Sequence, residues 1–109
     1  NIVLQYYSTE EIEDRNTKLT IYRIIQELIN NALKHAKATE ILIQFIHDPS
    51  KIDITVEDDG IGFDYKKLDQ ENGLGLTNLK NRVNFLNGAM DVRSILNEGT
   101  SINIQIEKI

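Results

Sequence analysis

The longest periodic segment, Lys18–Ala36, places Leu19, Tyr22, Ile25 or Gln26, Ile29, Ala32 or Leu33, and Ala36 at helical spacing. An amphipathic helix of this length must lay its apolar stripe against something, and the rest of the chain offers mainly strands. Ile2–Tyr7 is a short apolar run that reads as a first strand, and Ser8–Asn16 is a polar connector ending in Asn16 or Thr17 as the helix cap. Glu40–His47 alternates, with Ile41, Ile43 and Phe45 on one face and Leu42 and Ile46 on the other. Asp48-Pro49-Ser50 turns the chain into Lys51–Glu57, giving a hairpin. Tyr65–Asn72 is charged and aperiodic and reads as a lid. A second helix over Thr77–Leu86 carries Leu79, Val83 and Leu86 on one face and ends at Asn87-Gly88. Ala89–Leu96 and Thr100–Glu107, joined through Asn97-Glu98-Gly99, are the last strands. The order β-α-β-β-lid-α-β-β predicts a two-layer α/β (α+β) sandwich, a mixed sheet of about five strands with helices on one face.

Composition narrows the function. The 109 residues suffice for one domain, with no cysteines and therefore no disulfide or thiolate metal site. A net charge of −5 without a basic stripe argues against nucleic acid as a partner. No apolar run reaches membrane-spanning length and the start does not read as a signal peptide. The chain opens directly in a strand, as a piece of a longer protein would.

The chemistry-bearing stretch is Val56–Asp64, in which a strand delivers Glu57, Asp58 and Asp59 and is then broken by Gly60 and Gly62. An acidic turn with two glycines is by itself most simply a turn. On the first helix Glu27 and Asn31 lie one turn apart, Lys34 continues that face, and His35 follows. Adjacent asparagines in mid-helix are poor helix formers and point to a side-chain task. Gly73-Leu74-Gly75-Leu76 feeds the second helix, where free amides and the helix dipole suit an anion. Other patterns fail. There is no phosphate-loop Gly-Lys-Ser/Thr, no complete dinucleotide fingerprint, and no calcium loop around Gly60. His35 and His47 lie far apart without carboxylates at zinc spacing, each most simply a partly exposed polar residue.

Taken in order, Glu27-Leu-Ile-Asn-Asn31-Ala-Leu-Lys34-His35-Ala, Asp58-Asp-Gly-Ile-Gly-Phe63 and Gly73-Leu-Gly-Leu-Thr-Asn-Leu-Lys-Asn-Arg-Val83 resemble the nucleotide-binding boxes of the histidine-kinase/gyrase-type ATPases, the Bergerat fold. Glu98-Gly-Thr100 resembles the family's last element, and the wording is most similar to nitrate/nitrite-sensor-type kinases. The resemblance implies ATP and Mg²⁺ as ligands. Asp58 would accept from the adenine amine with Thr100 and a water beside it, and Gly60, Ile61 and Gly62 would form the loop around the base. Asn31 would offer oxygen to Mg²⁺. Lys34 and His35 would face phosphate, which Gly73, Leu74, Gly75 and Leu76 would wrap, and Glu27 could orient a water or nucleophile.

The resemblance further implies a single ATP-binding domain over residues 1–109, cytoplasmic and belonging to a membrane-bound bacterial sensor. Its dimerisation/phosphoacceptor and sensor domains would lie elsewhere. The partners would be that phosphoacceptor domain and a response regulator, with no nucleic acid and no direct membrane contact. Neither His35, inside a binding box, nor His47 would be the phosphoacceptor. An anti-sigma-factor-type serine-protein kinase, a topoisomerase- or chaperone-like ATPase, and a nucleotide-binding module without transferase activity are the other readings.

Overall fold

A computed structural model describes residues 1–9, 11–34, 37–62 and 76–107, the side chains of Leu76 and Thr77 aside. The elements run β1 (Ile2–Ser8), α1 (Arg15–Lys34), β2 (Ile41–His47), β3 (Lys51–Asp58), α2 (Leu76–Phe85), β4 (Gly88–Ile95) and β5 (Gly99–Glu107). The five strands form one sheet in the order β1-β2-β3-β5-β4. β1 runs parallel to β2 and every other pairing is antiparallel. The expected lid over Tyr65–Asn72 lies outside the described residues.

Strict alternation builds the core. Ile41, Ile43 and Phe45 of β2, Ile52, Ile54 and Val56 of β3, and Ile102, Ile104 and Ile106 of β5 are all buried on one face. Against them pack Ile21, Ile24, Leu28 and Ala32 of α1 and Leu79 and Val83 of α2. Across β3 and β5 the other face is polar: Asn103 Nδ2 donates to Asp53 Oδ1 at 2.8 Å and to Thr55 Oγ1 at 2.9 Å, and Gln105 Nε2 donates to Asp53 Oδ2 at 3.2 Å. A sheet covered on one side and wet on the other needs this pattern. The β2–β3 turn is fixed by Asp48, whose Oδ1 accepts from the amides of Ser50 and Lys51 at 2.8 and 2.9 Å. The Ser50 hydroxyl and amide are the main reason the Asp48 carboxyl lies below its ordinary pKa.

Three sequence expectations are corrected. Helix α1 begins at Arg15, capped by Asp14 rather than by Asn16 or Thr17. Asp14 Oδ2 accepts from the Thr17 amide at 3.0 Å and the Thr17 hydroxyl at 2.6 Å, so Thr17 is the third helical residue bonding back to the cap. The buried stripe of α1 is Ile21, Ile24, Leu28 and Ala32, whereas Leu19, Tyr22 and Leu33 are exposed. Both stripes have helical spacing, and the helix turns toward the sheet the one whose branched side chains meet the isoleucine face. His47 is 2% exposed, not partly exposed. It shares the parity of Ile41, Ile43 and Phe45, so the strand carries it into the core, edge-on to the Phe45 ring with centroids 6.4 Å apart.

Candidate nucleotide site

The site lies at the end of the sheet where β3 finishes. Asp58 stands directly opposite Thr100 in the β3–β5 register, and Thr100 opposite Ser94 in the β4–β5 register. The three polar side chains thus form one row across three strands, on the parity that carries Val56, Ile102 and Val92 inward. Thr100 is 7% exposed and its hydroxyl lies 2.9 Å from that of Ser94. A polar row in place of the last apolar row leaves hydrogen-bonding groups where the core would otherwise close.

Asp58 Oδ1 accepts from the Gly60 amide at 2.8 Å. Partial burial pushes the Asp58 carboxyl above its ordinary pKa, the amides of Gly60 and Thr100 oppose that shift, and the charge of Asp59 adds to it. Asp59 has a different task. Its carboxylate accepts from the Thr39 amide at 2.9 Å, the Thr39 hydroxyl at 2.6 Å and the Glu40 amide at 2.9 Å. These bonds, led by the Thr39 hydroxyl, hold its pKa below the ordinary value and tie the end of β3 to the α1–β2 connection.

The glycines carry packing constraints of their own. Gly62 has φ +65°, and a Cβ there would lie 2.1 Å from the carbonyl oxygen of Ile95. The Ile61 carbonyl accepts from the Asn97 amide, closing the loop onto the β4–β5 turn. Gly99 has φ +122°, and its Cβ would lie 2.2 Å from the Asp58 carbonyl oxygen. Gly60 is buried and serves through its amide. Ile61 is exposed, with its side chain outward.

The C-terminal half of α1 reaches the same end, because the connection from α1 to β2 is held by Asp59. Asn31 has a buried Nδ2 with no hydrogen-bond partner, an orphan among the described residues. An unsatisfied buried amide costs about 1–3 kcal/mol and is retained where a ligand completes it. An orphaned Nδ2 is a donor and fits an acceptor such as a phosphate oxygen, which would leave Asn31 Oδ1 for Mg²⁺, an ion that takes oxygen ligands and fills its shell with water and phosphate. Among the described residues no cluster of three or more His, Cys, Asp or Glu offers a self-sufficient metal site. Glu27 is ion-paired with Arg82 of α2, and Lys34 is exposed in the last turn of α1. Helix α2 ends beside the start of β4, which pairs with Ile106 at the far end of the sheet, so its N-terminus points back toward the Asp58 end. His35, Gly73, Leu74 and Gly75 lie outside the described residues, and Leu76 is the first residue of α2. The cleft of about 910 Å³ between Asp14, His47, Ile52, Phe85 and Ile106 is at the opposite end and is lined by none of the described motif residues.

Residues 16–108 match the family of histidine kinase-, DNA gyrase B- and HSP90-like ATPases. This chain belongs to that family. The domain is therefore an ATP-binding one, with a mixed sheet and one-sided helical layer of the expected kind. It is 40% identical over 95 residues to the sensor histidine kinase ComP of Bacillus subtilis, covering 86% of this chain and 12% of that protein. It is 34% identical over 91 residues to the histidine-protein kinase/phosphatase DegS of Brevibacillus brevis, covering 84% of this chain and 23% of that protein. The histidine kinase domain of a blue-light activated kinase from Erythrobacter litoralis superposes with a TM-score of 0.71 at 25% identity, over 96% of this chain and 51% of that one. The domain thus spans a quarter or less of these two curated relatives.

Three residues escaped the sequence reading. Ser94 carries no assigned role in the sequence, Arg82 stands there only as part of the Gly73–Val83 motif, and Gly99 only within Asn97-Glu98-Gly99 and Glu98-Gly-Thr100. Ser94 was detectable as the polar residue at the parity of Met90 and Val92, as Thr100 is at that of Ile102 and Ile104. Arg82 had no local signal, because its partner is 55 residues away.

Proposed function

We propose that this domain is the ATP-binding catalytic domain of a two-component sensor histidine kinase, donating the γ-phosphate to a histidine on a separate dimerisation domain. The observation that carries the reading is the row Asp58–Thr100–Ser94 at the open end of the sheet, with Asp58 oriented by the Gly60 amide. An ionised carboxylate only accepts hydrogen bonds, so it suits the exocyclic amine of adenine and opposes the carbonyl of guanine. Thr100 joins it at the base, with Ser94 orienting the Thr100 hydroxyl. Asn31 would hold Mg²⁺, which when bound neutralises phosphate charge. Lys34 and His35 would meet the phosphates, and the amides of Gly73, Leu74, Gly75 and Leu76 would wrap them, as the family's motifs imply. Glu27, held by Arg82, is fixed by an ion pair and acts by orienting a neighbouring group rather than as a free base. The names of the relatives, all sensor or signal-transduction histidine kinases, favour this reading over a serine-protein kinase.

Downstream, a response regulator would take the phosphoryl group. Among the described residues no helix is long and apolar enough to cross a membrane. By analogy with the sensor kinases it resembles, the proposed placement is a cytoplasmic domain whose anchor, sensor and phosphoacceptor hairpin belong to the rest of the protein.

Calorimetry of the 109-residue chain with Mg-ATP and Mg-GTP tests the base assignment, and equal affinities would reject it. Incubation with γ-labelled ATP and a helical-hairpin domain supplied in trans tests the transfer. Label on a histidine of that partner supports it, and label on a partner serine favours the serine-protein kinase.

A further inference from the structure

The two edges of the sheet are built differently. The outer strand at one side, β4, carries Asp91 and Arg93, exposed and ion-paired to one another. Such charges keep a free edge from pairing with another chain. The outer strand at the other side, β1, has none. Its sequence Ile-Val-Leu-Gln-Tyr-Tyr-Ser contains no charge and no proline. Its register with β2 is unbroken from Ile2↔Ile41 to Ser8↔His47, so no bulge bends the edge away. Leu4, Tyr6 and Tyr7 are 63, 63 and 65% exposed, and Ile2 and Val3 about half exposed. Ile2, Leu4 and Tyr6 lie on the helix-side face and Val3 and Tyr7 on the other, so the strand is apolar on both faces.

We propose that β1 is a self-association edge, pairing antiparallel with β1 of a second copy across a two-fold axis at Gln5. The strand is self-complementary in that register. Leu4 falls opposite Tyr6 of the second copy on the helix side, Val3 opposite its Tyr7 on the wet side, and Gln5 opposite its own copy. Aliphatic–aromatic pairs facing one another across antiparallel strands stabilise such a ladder, and no charge is buried by it. The outward N–H and C=O groups within Val3–Tyr7 of both copies are satisfied together, and two five-stranded sheets become one continuous sheet. Each copy carries a net charge of −5, which opposes association at long range, so added salt strengthens the dimer.

Sedimentation equilibrium of the 109-residue chain, from low micromolar to near-millimolar concentration, should show a monomer–dimer equilibrium that shifts toward dimer at higher salt. Leu4→Lys combined with Tyr7→Lys places a charge on each face and should weaken the dimer at least tenfold. Both side chains are exposed, and a thermal melt checks that the monomer stays folded. A second readout does not depend on that variant. The chain has no cysteine. Gln5→Cys puts a thiol on the proposed axis and should cross-link to itself with a short bis-maleimide, whereas Asp91→Cys on the guarded edge should not. A chain that stays monomeric throughout overturns the proposal and leaves the edge to another segment or protein. So does a dimer that is indifferent to the lysine pair and does not cross-link at Gln5→Cys.

Discussion

The carboxylates of Asp58 and Asp59 are neighbours in the chain whose pKa values shift in opposite directions. Burial raises that of Asp58, whereas donors from Thr39 and Glu40 lower that of Asp59. The signs give separate predictions. Asp59 contributes stability above its unfolded pKa that is lost as acid takes the pH down through its folded pKa. For Asp58 the folded form disfavours ionisation, so its contribution is present at low pH and lost as pH rises through the raised pKa. Asp58→Asn should therefore leave the melting temperature at neutral pH unchanged or higher while abolishing the preference for ATP over GTP. In the unaltered chain that preference should shrink as pH falls through the Asp58 pKa, because a protonated carboxyl donates as well as accepts. Calorimetry across pH checks this, and a preference constant down to the ordinary aspartate range would refute it. Asn31→Ala removes an orphaned amide and improves helix propensity, so it should stabilise the ligand-free chain by roughly 0.5–2 kcal/mol in denaturant titration. The same change should cost the metal dependence of ATP affinity. Gly62→Ala meets both a left-handed backbone and a carbonyl 2.1 Å away, and should destabilise by about 3 kcal/mol or more. A change under about 1 kcal/mol would mean that the loop yields freely.

At the scale of elements, α1 joins core and site. Ile24 and Leu28 bury against the sheet while Glu27 and Asn31, on the flank toward α2, carry polar chemistry. Arg82 links the two helices at their exposed flank by its pair with Glu27. Both groups are partly exposed, so the pair itself contributes only about 0–1 kcal/mol. Arg82→Ala should accordingly change stability little, yet weaken nucleotide binding or transfer by freeing Glu27, and Arg82→Lys should restore part of the loss. Unaltered binding and transfer in Arg82→Ala would show that Glu27 needs no partner. By contrast, Ile54→Ala in the central strand should cost about 2–5 kcal/mol, a large share of a domain's total stability.

For the whole molecule, nucleotide binding and phosphoryl transfer separate. The described residues supply a polar row at the end of β3 and an apolar core, and the proposed transfer requires a nucleophile held in line with the γ-phosphate. The isolated chain should bind Mg-ATP without becoming stably labelled, and stoichiometric label on His35 or His47 would refute this. For His47 the fold gives a reason, since it is buried in the core face of β2, at the end of the strand opposite Asp58.

The strands, their faces and the hairpin were legible in the sequence because alternation at period two is a local property, and Ile52, Ile54 and Val56 declare it within five residues. The same parity places His47 inside, against the partly exposed position its polar identity suggests, and sets Ser94 on the face of Met90 and Val92. The motif order was legible too, since each box is a contiguous run. Tertiary structure decided which of two helical stripes α1 buries, because Leu19 and Tyr22 have the right spacing but no sheet beneath them. It decided that Asp59 is tied to Thr39 and Glu40 while Asp58 stands against Thr100, because only pairing across β3 and β5 sets Asp58 there. It also decided why Gly62 and Gly99 are glycines. The obstructing atoms are the carbonyls of Ile95 and Asp58, tens of residues away in sequence and in contact only once the sheet has closed.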